Sequence, residues 1–248
     1  MKERLDKILI DRNIIGSRER ARALIMEGKV FVKGVPVLKA GTVVNADADI
    51  EIRGEDIPYV SRGGLKLETA IKHFNIHLKD KIAMDVGSST GGFTDCLLQH
   101  GAVKVYCIDV GYGQLAWKLR QDQRVILFER TNIRHLQRDK VHDVIDIATV
   151  DVSFISLVKV IPKVIEFLKE EGEIIALIKP QFEVGKGEVD KGGIIRDEKK
   201  RLKTVEYVKE KLATAGLQTI GIIQSPIAGQ KGNVEYLIYC KKQCSPAN

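Results

Sequence analysis

The stretch Ile82-Ala83-Met84-Asp85-Val86-Gly87-Ser88-Ser89-Thr90-Gly91-Gly92-Phe93-Thr94-Asp95 decides how this chain is read. It opens as a short apolar run of the kind that forms a buried parallel strand. It then turns through Gly87, Gly91 and Gly92 and continues into a predicted helix over 93–100. Strand, glycine turn and helix build a nucleotide-type cofactor site at the carboxyl end of the first strand of an open α/β sheet. Glycines in the turn let backbone and ligand approach closely. The spacing is neither the dinucleotide fingerprint GxGxxG nor the phosphate loop GxxxxGK[ST]. Asp85, two residues before Gly87, suits a cofactor with a positive or amino-acid-like part better than one with a pyrophosphate.

The next segment, 103–109, reads as a second strand ending in an acid. Asp109 follows Gly87 by 22 residues, and a carboxylate there can accept both hydroxyls of a ribose. The pattern GxxxGG by itself also occurs in ordinary tight turns. With the strand before it, the helix after it and the acid at the next strand end, it marks a cofactor site.

Toward the C-terminus the α/β alternation continues. Helix is expected over 114–121, strand over 124–128 and an ambiguous loop or short helix over 130–138, with Asn132 near the end of that strand. Strand 145–150 ends at Asp151. A helix over 156–169 carries Pro162 as a kink. Strand 173–178 ends at Lys179. A polar, glycine-rich loop covers 181–195. A charged helix over 197–214 is stopped by Gly216, and a late hairpin-like pair spans 217–224 and 234–240. Polar residues thus recur at the ends of apolar strands, and in a parallel sheet those ends open into one crevice. Asp151, Lys179 and, after the last glycine loop, Glu235 are therefore expected beside Gly87 and Asp109. A lysine between carboxylates near a sugar hydroxyl is a sensible base: the carboxylates hold it, while desolvation favours its neutral form.

Toward the N-terminus, residues 1–60 read as a separate small module. Leu5, Ile8, Leu9 and Ile14 suggest a helix over 3–11. Ser17 caps a second helix over 18–27, which Gly28 ends. Short strands follow at 30–32, 35–37 and 49–52. Residues 1–40 hold ten Lys/Arg against five Asp/Glu, more cations than a short structural helix needs, and such clusters suit phosphate contacts. Residues 61–64 form a short joint, and a helix over 65–74 follows. Lys66 falls in its first turn, where a cation opposes the helix dipole.

At 248 residues, with 44% hydrophobic and 29% charged content, the composition is that of a folded, soluble chain. No apolar run reaches the roughly 18 residues of a membrane span. No apolar core follows the basic residues at the start, so a signal peptide is not expected. The cysteines, Cys96, Cys107, Cys240 and Cys244, form no CxxC pair. Three of them sit in or beside predicted core elements and read as small buried thiols of a reducing, cytoplasmic compartment, and no metal is expected. The formal charge of +7 favours a polyanionic partner.

Two resemblances sharpen this. Arg4-Leu5-Asp6-Lys7-Ile8-Leu9, Ser17-Arg18-Glu19-Arg20-Ala21 and Ile25-Met26-Glu27-Gly28-Lys29-Val30-Phe31-Val32-Lys33-Gly34 resemble the S4 RNA-binding module over 1–60. That resemblance implies an RNA surface near Arg18, Arg20, Arg22, Lys29 and Lys33, with Arg4 and Arg62 also facing RNA. The remainder resembles the TlyA (haemolysin A-like) family of ribosomal RNA 2'-O-methyltransferases, whose catalytic domain is similar to FtsJ/RrmJ-type enzymes. Ser61-Arg62-Gly63-Gly64-Leu65-Lys66-Leu67, the glycine stretch at 85–95, Ile108-Asp109-Val110-Gly111, Asp151-Val152-Ser153-Phe154-Ile155-Ser156-Leu157 and Lys179-Pro180-Gln181-Phe182-Glu183 carry it.

The fold so implied is α/β, a Rossmann-like methyltransferase sheet over 65–248 with a small α+β S4-like domain. The implied cofactor is S-adenosylmethionine, held by Asp85, Gly87, Ser88, Thr90, Gly91, Gly92, Phe93, Asp109 and Asn132. The implied substrate is the 2'-hydroxyl of cytidine in ribosomal RNA or ribosomal subunits. The family's Lys-Asp-Lys-Glu tetrad falls on Lys66, Asp151, Lys179 and Glu235, with Lys179 as central base. The family name records haemolysis, but nothing in the sequence resembles a pore former. Two other readings stay open: a methyltransferase acting on a non-RNA substrate, and a non-catalytic RNA-binding assembly factor.

Overall fold

The structure, a computed structural model, describes residues 2–16, 18–26, 28–53, 57–185, 189–190, 192–229 and 232–244. Ser17, expected as a helix cap, lies outside them, as does the end of the chain from 245. Contacts divide the chain into Met1–Ser61 and Arg62–Asn248.

In the first unit, strand β1 (Lys2–Arg4) leads into helix α1 (Leu5–Asp11), and helix α2 is Arg18–Met26. Strands β2 (Val30–Val32), β3 (Val35–Pro36), β4 (Val43–Asn45) and β5 (Ile50–Ile52) follow. The expected helix start at residue 3 is instead strand: Lys2, Glu3 and Arg4 pair antiparallel with β4. Three residues are too few for a periodicity to show, and their partner lies some forty residues on. β3, β2 and β5 make a second small sheet. Leu5, Leu9, Ala21, Leu24, Ile25 and Val30 pack into this unit's own apolar core.

The second unit begins with helix α3 (Gly63–Phe74), so Gly63 and Gly64 open the helix rather than precede it. Strand β6 (Ile82–Val86), helix α4 (Gly92–Gln99), strand β7 (Lys104–Ile108), helix α5 (Trp117–Arg120) and strand β8 (Val125–Phe128) follow. Then come strand β9 (Ile145–Val150), helix α6 (Ile161–Ile165), strand β10 (Leu168–Ile178), helix α7 (Pro180–Glu183), helix α8 (Glu198–Thr214) and strands β11 (Leu217–Gln224) and β12 (Tyr236–Lys242). Among the described residues they form a seven-stranded sheet in the order β11-β12-β10-β9-β6-β7-β8. β6 to β10 run parallel, and β12 lies antiparallel between β10 and β11.

The helix expected over 156–169 is the main departure. Ser156 caps a single 3-10 turn, Leu157–Lys159. Pro162 sits in the first turn of the short α6, where its missing N–H costs nothing, and starts a helix instead of kinking one. The tail of the expected helix belongs to β10, whose register shifts between Leu168 and Glu173, where Glu171 takes a positive φ of 59°. Around the sheet, Met84, Ile108, Ile145, Ala176, Phe167 and Ile238 join one continuous core.

The chain lays β6, β7 and β8 outward in one direction, then returns to place β9 on the other side of β6. Such a reversal opens a crevice at the carboxyl ends of the two strands that flank it.

Candidate active site

The register decides what meets at that crevice. Val86 pairs with Val150, so Gly87 and Asp151 each stand one residue beyond the last pair of β6 and β9. Ile178 pairs with Tyr236, so Lys179 and Glu235 stand one residue beyond that pair on β10 and β12. Strand ends far apart in sequence thus bring their polar residues to one edge of the sheet.

Gly87 has φ +85°, and a Cβ built on it would overlap the Asp151 carbonyl oxygen. Only a residue without a side chain lets the glycine turn run against β9 at that point. A cleft of about 520 Å³ opens there. Gly87, Ser89, Asp109, Asn132 and Asp151 are among its walls. Asp109 ties the turn to the next strand end: its carboxylate accepts the Ser89 N–H at 2.7 Å and the Gly111 N–H at 2.6 Å. Each oxygen keeps a lone pair for a further donor. Asn132 caps the following 3-10 turn through the Arg134 N–H at 3.1 Å.

The other residues expected around the cofactor stand outside the cleft wall. Gly91 caps α4 with φ +94°, and Gly92 and Phe93 are buried in its first turn. The Thr90 carbonyl accepts the Ala116 N–H at 3.2 Å. Ser88 is buried, and its hydroxyl finds no partner among the described residues. Asp85, expected beside a cationic group of the ligand, is only 1% exposed. It accepts the Thr94 hydroxyl at 2.6 Å and the Thr149 hydroxyl at 3.0 Å. Burial pushes its carboxyl up to about 6 against the pull of those two hydroxyls, and the Asp151 charge adds to the rise. Thr94 opens α4 and Thr149 lies two residues before Asp151, so Asp85 bridges the helix and the strand that frame the cleft.

Two ion pairs complete the edge. Lys179 Nζ lies 2.6 Å from Asp151 Oδ1 and donates to the Ser153 hydroxyl at 2.9 Å. Lys66 Nζ lies 2.6 Å from Glu235 Oε2. Lys66 is past the first three residues of α3, and Glu235 meets its charge, which removes the conflict with the helix dipole. Glu235 is 3% exposed. Its carboxylate occupies the space above Gly229, where a Cβ would overlap Oε1. Gly229, in the loop before β12, therefore leaves room for this acid.

Patterning does not single out Phe154, which enters only as part of the stretch 151–157 that carries the family resemblance. It is 86% exposed with φ +63°, and its ring centre lies 5.0 Å from that of Phe182. Nor does patterning reach Glu183, whose carboxylate accepts the Leu157 N–H at 2.8 Å and the Ser156 hydroxyl at 2.5 Å.

In the N-terminal unit three of the arginines expected on RNA close on a buried acid. Asp6 is wholly buried, and Arg4, Arg18 and Arg22 reach it at 2.9, 3.1 and 3.6 Å. The Arg4 guanidinium foremost, then Arg18, holds its carboxyl down at about 2, against the opposing effect of burial. Arg20 donates to the Ile57 carbonyl at 3.4 Å. Lys33 is exposed in the β2–β3 turn with φ +50°, and Arg62 is exposed at the head of α3. Lys29 is half-buried just before β2.

The profile described as FtsJ-like methyltransferase matches residues 59–242, and that of the S4 domain matches residues 3–50. The 16S/23S rRNA (cytidine-2'-O)-methyltransferase TlyA of Mycobacterium tuberculosis is 40% identical, over 98% of this chain and 91% of that protein. Hemolysin A of Brachyspira hyodysenteriae is 44% identical, over 95% of this chain and 98% of its own length. A protein of Streptococcus thermophilus, solved under a provisional hemolysin name, superposes with a TM-score of 0.79 at 40% identity, covering 100% of this chain and 90% of that one. Among the described residues no helix is long and apolar enough to cross a membrane.

Proposed function

We propose that this chain, which belongs to the FtsJ-like methyltransferase family, transfers a methyl group from S-adenosylmethionine to a ribose 2'-hydroxyl of cytidine in ribosomal RNA. The observation that carries the reading is the pair of lysine–carboxylate contacts, Lys179 with Asp151 and Lys66 with Glu235, at the strand ends beside the glycine-turn cleft. The relative named as a cytidine-2'-O-methyltransferase supports the substrate, and the S4 domain supports RNA as its carrier. An RNA substrate of the ribosome puts the reaction in the cytoplasm.

The residues fit S-adenosylmethionine. Asp109 keeps lone pairs for ribose hydroxyls, Asn132 stands on the same wall, and the buried Ser88 hydroxyl awaits a partner in the turn. When bound, the cofactor supplies a methyl group already activated on a sulfonium. The chain must then aim the 2'-oxygen and dispose of its proton. Lys179 would serve as the acceptor of that proton. Asp151 and Ser153 hold the amine in place, and Lys66, fixed by Glu235, orients the hydroxyl or the neighbouring phosphate. Arg20, Lys29, Lys33 and Arg62 give the RNA its phosphate contacts, and Arg4, Arg18 and Arg22 add to them from around Asp6.

The test is transfer of labelled methyl to separated small and large ribosomal subunits, followed by nucleoside analysis. Lys179→Ala is expected to lower turnover by about 10²- to 10⁴-fold with cofactor binding retained. A methylated base in place of 2'-O-methylcytidine, or full activity in the variant, would overturn the reading.

A further inference from the structure

A second cleft, of about 510 Å³, adjoins the first, and Arg134, Phe154 and Ile155 line both. Phe154 and Phe182 form an apolar wall, and Tyr207 and Lys159 complete its rim. Lys179 Nζ is 6.0 Å from the Phe182 ring centre. A ribose whose 2'-hydroxyl meets Lys179 would therefore carry its base against these rings, because sugar and base of one nucleotide span a comparable distance. Exposed aromatic faces accept bases by stacking.

What the rings cannot do is tell one pyrimidine from another. Glu183, on the wall of the same cleft, can. Its two oxygens are held by the Ser156 hydroxyl and the Leu157 N–H, so its orientation is set before any ligand arrives. Among the described residues no cation pairs with it, and burial raises its carboxyl above the usual range. A carboxylate kept partly desolvated without a counter-ion is costly. A helix turn could be capped by serine alone, as Ser156 already caps the Val158 N–H. Each Glu183 oxygen retains a lone pair for a donor from the cleft.

We infer that this cleft takes the target base and that Glu183 is a specificity residue, accepting a hydrogen bond from the exocyclic amine of cytosine. Uracil presents a carbonyl at that position and would meet the carboxylate acceptor to acceptor, which leaves a buried polar pair unsatisfied. The inference rests on the 2'-hydroxyl reading for the pose of the ribose. It adds what that reading lacks, a reason for cytidine.

The experiment has two arms. In the first, ribosomal subunits carrying C or U at the methylated position are compared as substrates for wild type and Glu183→Gln. Wild type should prefer C by at least about tenfold, and the variant should lose most of that ratio while binding S-adenosylmethionine within about twofold of wild type. An equal fall on both substrates, with the ratio kept, would assign Glu183 a purely structural role and overturn the inference. In the second arm, binding of cytidine, uridine and pyrimidin-2-one ribonucleoside monophosphates to wild type is followed by NMR, which needs neither turnover nor a variant. Tighter binding of the amine-bearing nucleotide supports the inference even if no methyl transfer is found, in which case the 2'-hydroxyl reading falls alone. Equal binding of all three by an active enzyme overturns the inference and leaves that reading standing.

Discussion

Asp6 in the N-terminal unit and Asp85 in the methyltransferase unit are equally shut away from water, at 0% and 1% exposure. Yet they are held in opposite ways. Three guanidiniums surround Asp6 and keep its carboxyl down at about 2. Two neutral hydroxyls surround Asp85, and burial lifts it to about 6. Burial by itself therefore does not decide the charge of a carboxylate; the nearest donor does. The difference also separates two uses. Around Asp6 the charges close on one another and fix two helices. Around the crevice they pair at strand ends, Lys179 with Asp151 and Lys66 with Glu235, beside the cleft.

The largest effect expected from this contrast is on the pH dependence of stability. The folded pKa of Asp85 is raised above its unfolded value. Its destabilising contribution is absent below the unfolded pKa, grows as pH rises through about 6 and stays constant above. Asp85→Asn should remove that loss, which is on the order of 2–3 kcal/mol, in urea titrations between pH 4 and 7. A variant as pH-sensitive as wild type in that window would mean that Asp85 is stabilised by something other than the two threonines.

A smaller effect is expected at Asp6, with the opposite sign. Its folded pKa is depressed, so its contribution is present above the unfolded value and is lost as pH falls through about 2. Asp6→Asn should cost about 1–2 kcal/mol at neutral pH, less than a fully buried pair, because the guanidiniums are half-exposed and water takes them up. Thermal or urea unfolding of the whole chain measures this. Turnover on a saturating RNA substrate should hardly change, and a collapse in turnover would show that the Asp6 cluster serves chemistry as well as folding.

The smallest effect separates structural cations from RNA-facing ones. Lys33→Ala should weaken RNA binding a few-fold and lower the salt slope by about one, with stability unchanged. Arg18→Ala should weaken RNA binding to a similar extent and also lower stability, since it loosens Asp6. Equal stability of the two variants would erase the distinction between the two groups.

The crevice was legible in the sequence because each strand announces its own end. An apolar run closed by an acid or a lysine marks Asp109, Asp151 and Lys179 without knowledge of any partner strand. Where a local rule met a long-range demand, it failed. The periodicity of 156–169 suits a helix, but β9 needed a neighbour as far back as Leu168, and that residue was drawn into β10. Lys2–Arg4 became strand for the same reason, with β4 as the partner.

By itself, then, the chain determined its classes of element, its glycine turn and the residue types at its strand ends, since these depend on neighbours a few positions away. Only the tertiary structure decided how they are shared out. The parallel register set Gly87 against Asp151, and the antiparallel return of β12 carried Glu235 to Lys66 across 169 residues of sequence. It also enclosed Asp85 behind two threonines instead of leaving it in the cleft, and turned three basic side chains toward Asp6. Charge and hydrogen-bond partnership depend on distances in space, and no spacing along the chain encodes those distances until the sheet has formed.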